Sequence, residues 1–215
     1  MTMARVVAGV LLTMMAVVVG GTSAVRAQVG DSRGLVNPNL ASADELSELP
    51  GLTGALVDGL IERRPFLTMT DIDAYLSGTL DRSELEALYQ GLFLPINLNT
   101  APRDEILLVP GVGDRMAHEF EEYRPYLALE QFRREIGKYV DDEEVQRFER
   151  HVFVPIDLNT ASDDVILSIP GLGQRLLREF QEYRPYRGLE QFRREIGKYV
   201  DDDEVARLER YVVVK

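Results

Sequence analysis

The segment LNTAPRDEILLVPGVGDRMAHEFEEYR, residues 98–124, decides the fold class of this chain. Thr100 suits a helix N-cap, and the acidic residues after it favour a helix start because the helix dipole attracts anions. The sequence PGVG at 110–113 then breaks the helix. After the break, the apolar residues fall on one helical face: Met116, Ala117, Phe120 and Tyr123. The segment therefore predicts two helices joined by a tight glycine hairpin.

This pattern is repeated along the chain at an offset of 60 residues. Residues 129–142 and 189–202 are identical, with the sequence LEQFRREIGKYVDD. The same offset aligns 96–113 with 156–173 without a gap, and it aligns 36–53 more weakly. A fixed period of this length indicates a tandem array of one structural unit.

The repeat predicts three units, at 36–95, 96–155 and 156–215, after a short polar linker at 28–35. Each unit shows four helical stretches, so we expect an all-α fold of three 60-residue modules. No glycine-serine spacer stands at the joints, so adjacent units should touch and form a semi-rigid row.

The second half of each unit is predicted to be helical as well. Asp141 and Asp201 are placed to cap the fourth helices. We expect the apolar residues of the second and third units to form their cores: Phe120, Phe132, Ile136, Val145, Phe148, Phe180, Phe192, Ile196, Val205 and Leu208.

The first 27 residues have the pattern of a cleavable secretory signal. Arg5 precedes an apolar run, and small residues follow it up to Ala27. The alternative is a retained membrane anchor, but the run is shorter than the roughly 20 residues that a spanning helix needs. We therefore expect cleavage after Ala27, an exported protein in the periplasm or outside the cell, and no integral membrane segment in the mature chain.

The composition restricts the classes of function. The chain has no cysteine, which excludes thiolate metal sites and cysteine nucleophiles. His118 and His151 are the only histidines, and they do not recur between units. We see no catalytic constellation, metal ligand set or cofactor motif, and we expect a non-enzymatic protein without a cofactor. The formal net charge is -12, which is unusual for a nucleic-acid binder.

Residues 98–124 and 158–184 resemble the helix-hairpin-helix module of the ComEA family of exported competence proteins. The shared features are the opening N-T-A (the end of the family's N-x-N-T-A), the proline-glycine hairpin and an amphipathic helix ending in Tyr-Arg. The resemblance implies a SAM-like helix-hairpin-helix fold. It also implies binding of double-stranded DNA through the hairpins, without sequence preference, as in DNA uptake.

The implied phosphate-binding residues lie at the two intact hairpins. They are Gly111, Val112, Gly113 and Arg115 in the second unit, and Gly171, Leu172, Gly173 and Arg175 in the third. Glycine permits unusual backbone angles and close approach, and the start of the following helix attracts anions. A plain helix-helix turn remains the alternative for both hairpins.

The chain departs from the family at the other hairpins. Thr53 replaces the second hairpin glycine in the first unit, so that hairpin is expected to be degraded as a phosphate site. Asp141 and Asp201 stand where a second hairpin would bind phosphate, which indicates a structural role there.

An interaction module that binds no DNA is the competing function. The acidic net charge favours it, whereas the intact glycines favour DNA. A repeated group of basic residues on the third helices is expected to be a solvated face, with a backbone contact or a protein partner as alternatives. It comprises Arg133, Arg134, Lys138, Arg193, Arg194 and Lys198.

Overall fold

The computed structural model describes residues 28–30, 32 and 34–215. The predicted signal peptide at 1–27 lies outside the described residues. Within the described part the chain is mostly helical, which confirms the all-α class. The helices are Ala43–Ser47 (α1), Gly54–Glu62 (α2), Met69–Leu76 (α3), Arg82–Leu88 (α4), Arg103–Ile106 (α5), Asp114–Glu122 (α6), Leu129–Ile136 (α7), Asp142–Glu149 (α8), Asp163–Leu167 (α9), Gln174–Glu182 (α10), Leu189–Ile196 (α11) and Asp202–Glu209 (α12).

Short strands join the two ends of each 60-residue segment. The strands are Ile96–Asn97 (β1), Val152–Phe153 (β2), Ile156–Asp157 (β3) and Val212–Val213 (β4). β1 pairs with β2 and β3 with β4, both in parallel. A single parallel bridge between Val36 and Leu92 does the same in the first segment. Each segment thus ends beside its own beginning.

An asparagine clasp connects the opening loop of each segment to its proline turn. Asn99 accepts a hydrogen bond from the Tyr126 N–H at 2.6 Å and donates to the Tyr126 carbonyl at 2.9 Å. Asn39 and Asn159 make the same pair of bonds with Phe66 and Tyr186. The spacing between this asparagine and the Arg-Pro pair, which is the same in all three segments, therefore has a structural explanation.

An arginine completes each clasp. Arg124 donates to the carbonyls of Leu98 at 2.6 Å and Ala101 at 2.7 Å. Arg64 makes the equivalent two bonds, and Arg184 makes one of them, to Ala161 at 2.8 Å. The guanidinium satisfies carbonyl groups that no helix or strand would otherwise pair.

The first helix of the second segment begins later than the sequence indicates. Pro102, not Thr100, is the N-cap of α5, and Thr100 lies in the preceding turn. The Asn97 side chain accepts from the Asn99 N–H in that turn, which places Thr100 before the helix. In the first segment, Ser42 and Glu45 form a full capping box at α1.

The predicted cores are confirmed, because all ten residues expected to form them are buried. Edge-to-face aromatic pairs fill the centre of both segments. The ring centroids of Phe120 and Phe132 are 5.0 Å apart, and those of Phe180 and Phe192 are 5.2 Å apart. Such pairs add to the stabilisation that burial alone provides.

Adjacent segments pack through equivalent ring contacts. Phe93 meets His151 with a centroid distance of 4.7 Å, and Phe153 meets Tyr211 at the same distance. The third segment also reaches the first, because Arg210 donates to the carbonyls of Leu67 and Pro95. The arrangement is therefore more compact than the expected row.

Part of the expected linker is paired with the second segment. The Gly30 N–H donates to Val152, and the Val154 N–H donates to Gln28. Val29 between them is only 3% exposed. Residues 28–30 thus contribute to the core beside β2 instead of running free in solvent.

His151 should make stability depend on pH. Its Nδ1 lies 2.8 Å from the Arg147 carbonyl, and burial lowers its pKa to about 4. The unfolded histidine titrates near 6.5, so the stabilisation is complete above that pH and is lost as pH falls towards 4. Two and a half pKa units correspond to about 3 kcal/mol.

We therefore expect His151→Tyr, which copies Tyr211, to remove about 2–3 kcal/mol of the difference in unfolding free energy between neutral and mildly acidic pH. Urea unfolding at both pH values measures it. His118→Gln is the matched control because His118 is exposed. An unchanged pH dependence in His151→Tyr would show that this account of His151 is wrong.

Candidate nucleic-acid interface

The first glycine of each hairpin has a backbone that other residues rarely adopt. The φ angles of Gly111 and Gly171 are +83° and +77°. The apolar residue that follows, Val112 or Leu172, is buried and anchors the turn in the core. These residues therefore hold the hairpins in shape, and only their backbone is available to a ligand.

The second glycine has a different role from the one expected. Gly113 and Gly173 have φ angles of -101° and -99°, which any residue can adopt. A Cβ atom added at either position would meet nothing within 4 Å. Backbone strain and packing therefore do not require glycine here. What the missing side chain provides is open space in front of the next helix.

The helices that follow these glycines begin with free amide groups. No side chain caps the start of α6 or α10 within the described part of the chain. The fourth helices differ, because Asp141 and Asp201 cap α8 and α12 through the amides of Glu144 and Glu204. The predicted capping by both aspartates is confirmed. The starts of α6 and α10 therefore have an anion-binding capacity that the capped starts of α8 and α12 lack.

Arg115 and Arg175 stand at the second position of these helices, and both are exposed. The guanidinium carbon of Arg115 lies 5.9 Å from the centre of the Tyr139 ring. An arginine here is near enough to the helix start to pair with a bound phosphate.

The two hairpins differ in local charge. Asp114 begins α6, and its carboxylate lies 3.0 Å from Arg103. Gln174 occupies the equivalent place in α10 and carries no charge. An anion approaching α6 meets this carboxylate, whereas one approaching α10 does not. The third-segment hairpin is therefore the more favourable of the two.

Side chains from other parts of the chain brace the hairpins, and the hairpin motif itself does not identify them. Arg207 is 4% exposed and donates to the Pro170 carbonyl at 2.6 Å. Leu40, from the first segment, lies 3.0 Å from the position of a Cβ on Gly171. Arg147 lies against Gly111 in the same way. The sequence offers one signal for these contacts. Arginine recurs at 147 and 207, two positions that the 60-residue offset relates.

The basic residues of the third helices are paired with acids. Arg133 forms two bonds with Glu149, at 2.5 and 2.6 Å, and Arg193 does the same with Glu209. Arg134 and Lys138 both contact Glu135. In the third segment Arg194 and Lys198 contact Glu195. This face carries little unbalanced positive charge, as expected for a solvated face.

The hairpin of the first segment shares the backbone shape but lacks the charge. Gly51 has a φ of +83°, and Thr53, the N-cap of α2, has a φ of -80°. Ala55 stands where the other segments have arginine. The Thr53 side chain also occupies the space that Gly113 and Gly173 leave open.

Other kinds of site find no counterpart in the described residues. Within 28–30, 32 and 34–215, no group of three or more histidine and acidic residues is placed to hold a metal ion. No helix in that part of the chain is long and apolar enough to cross a membrane. Comparisons with protein-family models, curated proteins and solved structures gave no match.

Serine should affect the free energy of unfolding differently at the two glycines of one hairpin. Gly171→Ser places a side chain at positive φ and against Leu40, so we expect a loss of at least about 1–2 kcal/mol in unfolding free energy. Gly173→Ser introduces a favoured N-cap in open space and should leave stability unchanged or slightly raised. Thermal unfolding of both variants measures this, and equal losses would contradict the assignment.

Proposed function

We propose that this chain binds the phosphate backbone of double-stranded DNA weakly and without sequence preference. The binding groups are the hairpins and helix starts of the second and third segments: Gly111, Val112, Gly113, Arg115, Gly171, Leu172, Gly173 and Arg175. The role is non-enzymatic and needs no cofactor. It resembles that of the ComEA family in presenting DNA outside the cytoplasm.

One observation supports this proposal above the others. Gly113 and Gly173 have ordinary backbone angles and no neighbour at Cβ, yet both are glycine and both precede an uncapped helix. A bulky anion that approaches the helix amides needs this space. Where the chain closes a helix start with its own aspartate, at Asp141 and Asp201, the space is filled.

The proposal includes an architecture and a location. The segments 36–95, 96–155 and 156–215 are three helix-hairpin-helix modules, of which the first has lost its binding hairpin. The helices, positive-φ glycines and strand pairs recur at the same 60-residue offset as the sequence, which supports this division. Residues 1–27 are a signal peptide, so the mature protein is periplasmic or extracellular.

The acidic net charge weakens the binding without preventing it. At physiological salt the Debye length is about 8 Å, so distant carboxylates are screened from a hairpin. Two arginines neutralise about two phosphates. The logarithm of the binding constant should therefore fall with the logarithm of the salt concentration with a slope of about -2. The affinity should lie at the weak end of the range of roughly 10⁻⁴–10⁻⁶ M for non-specific binding.

A protein-interaction module is the second candidate, and one observation favours it. The basic residues of α7 and α11 are paired with acids of the same segment, so in the part of the chain that the structure describes these two helices offer no broad positive face. A module that only joins proteins would need no such face. The two functions are distinguished by filling the space in front of α6 and α10: DNA binding should then be lost, whereas binding to a protein partner does not require that space.

Gly113→Asp and Gly173→Asp, combined in one chain, should abolish DNA binding while preserving the fold. Aspartate fits the backbone at both positions and caps the helix, so stability should stay level or rise by a few tenths of a kcal/mol. The new carboxylate occupies the place of the phosphate and repels it. Fluorescence anisotropy with a short duplex at low salt measures binding, and thermal unfolding measures stability.

Thr53→Asp is the matched control, because it adds the same side chain at the equivalent position of the first segment. It should change binding little. DNA binding by the double variant equal to that of the parent would overturn the proposal. An absence of binding by the parent at low salt would do so too, and the interaction module would then take its place.

A further inference from the structure

The hairpin of the third segment is contacted by a residue of the first segment. A Cβ added to Gly171 would lie 3.0 and 3.2 Å from the two methyl carbons of Leu40, which is 43% exposed. A Cβ added to Gly51 or Gly111 would instead meet side chains of the same segment. A close neighbour from another segment therefore distinguishes the third hairpin, which is also the hairpin with the more favourable local charge.

Leu40 departs from the repeat at this position. The other two segments have threonine here, Thr100 and Thr160, and both threonines are exposed. The three loops share their backbone bonding, because the N–H of each of these residues donates to the carbonyl three residues earlier, at 3.0, 3.2 and 3.3 Å. The loop itself therefore does not require leucine, whereas the contact with Gly171 uses the leucine methyl groups.

The loop that carries Leu40 is fixed by bonds that do not involve the leucine side chain. The adjacent residue, Asn39, exchanges two hydrogen bonds with the backbone of the proline turn in the first segment. Arg210 of the third segment donates to the carbonyls of Leu67 and Pro95 in the first, at 3.1 and 2.9 Å. A change of the Leu40 side chain should therefore leave the loop in place and the two segments joined.

The third hairpin is contacted by a side chain of its own segment as well. Arg207 donates to the Pro170 carbonyl at 2.6 Å, and its Nη2 lies 3.2 Å from the position of a Cβ on Gly171. Leu40 and Arg207 thus both restrict the turn that leads into the start of α10. Restricting a binding backbone before its ligand arrives strengthens binding, because less conformational freedom is lost in the complex.

We propose that Leu40 is a positioning residue for the hairpin at 171–175. The first segment, which has lost its own binding hairpin, then strengthens DNA binding by the third segment through this contact. This inference rests on the proposed function, since DNA is the ligand whose binding Leu40 improves. The neighbours of Gly111 belong to the second segment, so the second hairpin should bind DNA independently of Leu40.

Leu40→Thr tests this role, because it copies the residue of the other two segments and should preserve the fold. It is made in two forms of the full chain: Gly113→Asp, which leaves the third hairpin open, and Gly173→Asp, which leaves the second open. Fluorescence anisotropy with a short duplex at low salt measures binding. We expect Leu40→Thr to weaken binding about threefold or more in the Gly113→Asp chain and to leave it unchanged in the Gly173→Asp chain. Leu127→Thr, which removes another exposed leucine, is the matched control and should change neither.

Hydrogen exchange in the absence of DNA gives a second measurement of the same role. The Leu172 N–H donates to the Ile169 carbonyl at 3.1 Å within the turn, and Val112 makes the equivalent bond in the second hairpin. We expect exchange of the Leu172 amide to become faster in Leu40→Thr, because the turn loses a contact, and exchange of the Val112 amide to stay as in the parent.

The outcomes separate this inference from the proposed function. A parent chain that binds no DNA would overturn the proposed function, and the role of Leu40 in binding with it. If the parent binds, the inference alone fails when Leu40→Thr leaves binding by the Gly113→Asp chain unchanged, or when it weakens both aspartate chains equally. Exchange of the Leu172 amide that stays as slow as in the parent would also contradict it.

Discussion

The asparagine clasp is the interaction on which each segment depends. Asn99 holds both backbone groups of Tyr126, and Arg124 holds two carbonyls of the opening loop from the other side. Together these bonds fix the loop before the first helix against the turn after the second. The hairpin lies between those two helices, so its position is set once the clasp has closed. The same bonds at Asn39 and Asn159 make the three segments alike.

The structure separates helix starts that the chain closes from those that it leaves open. Asp81, Asp141 and Asp201 each accept from an amide of the helix that they precede. The starts of α6 and α10 have no such side chain, and a glycine stands in front of each. The amides of a free helix start lack protein partners, and this costs free energy. Water offsets the cost only where the helix start is exposed. The open starts of α6 and α10 are exposed at the hairpins, and phosphate is the ligand that we propose for them.

Much of the fold follows from the sequence because its signals are local and repeated. The helical periodicity and the 60-residue offset predict the core residues, and Asp141 and Asp201 predict their caps. The site was only partly predictable. The requirement for glycine at 111 and 171 follows from the turn, but the ordinary φ of Gly113 and Gly173 depends on geometry that a motif does not contain. The contacts of Leu40 and Arg210 join residues more than 100 positions apart, and no local pattern indicates them.

The central claim is that DNA phosphates meet the free amides at the starts of α6 and α10. Backbone amide chemical shifts, followed by NMR while a short duplex is added at low salt, test this claim most directly. We expect the shifts to change first and most at 113–116 and 173–176, with larger changes in the second group because Gln174 stands at the place of Asp114. Little change is predicted at the capped starts of α8 and α12. Shifts that change equally at capped and open helix starts, or that do not change at either hairpin, would contradict it.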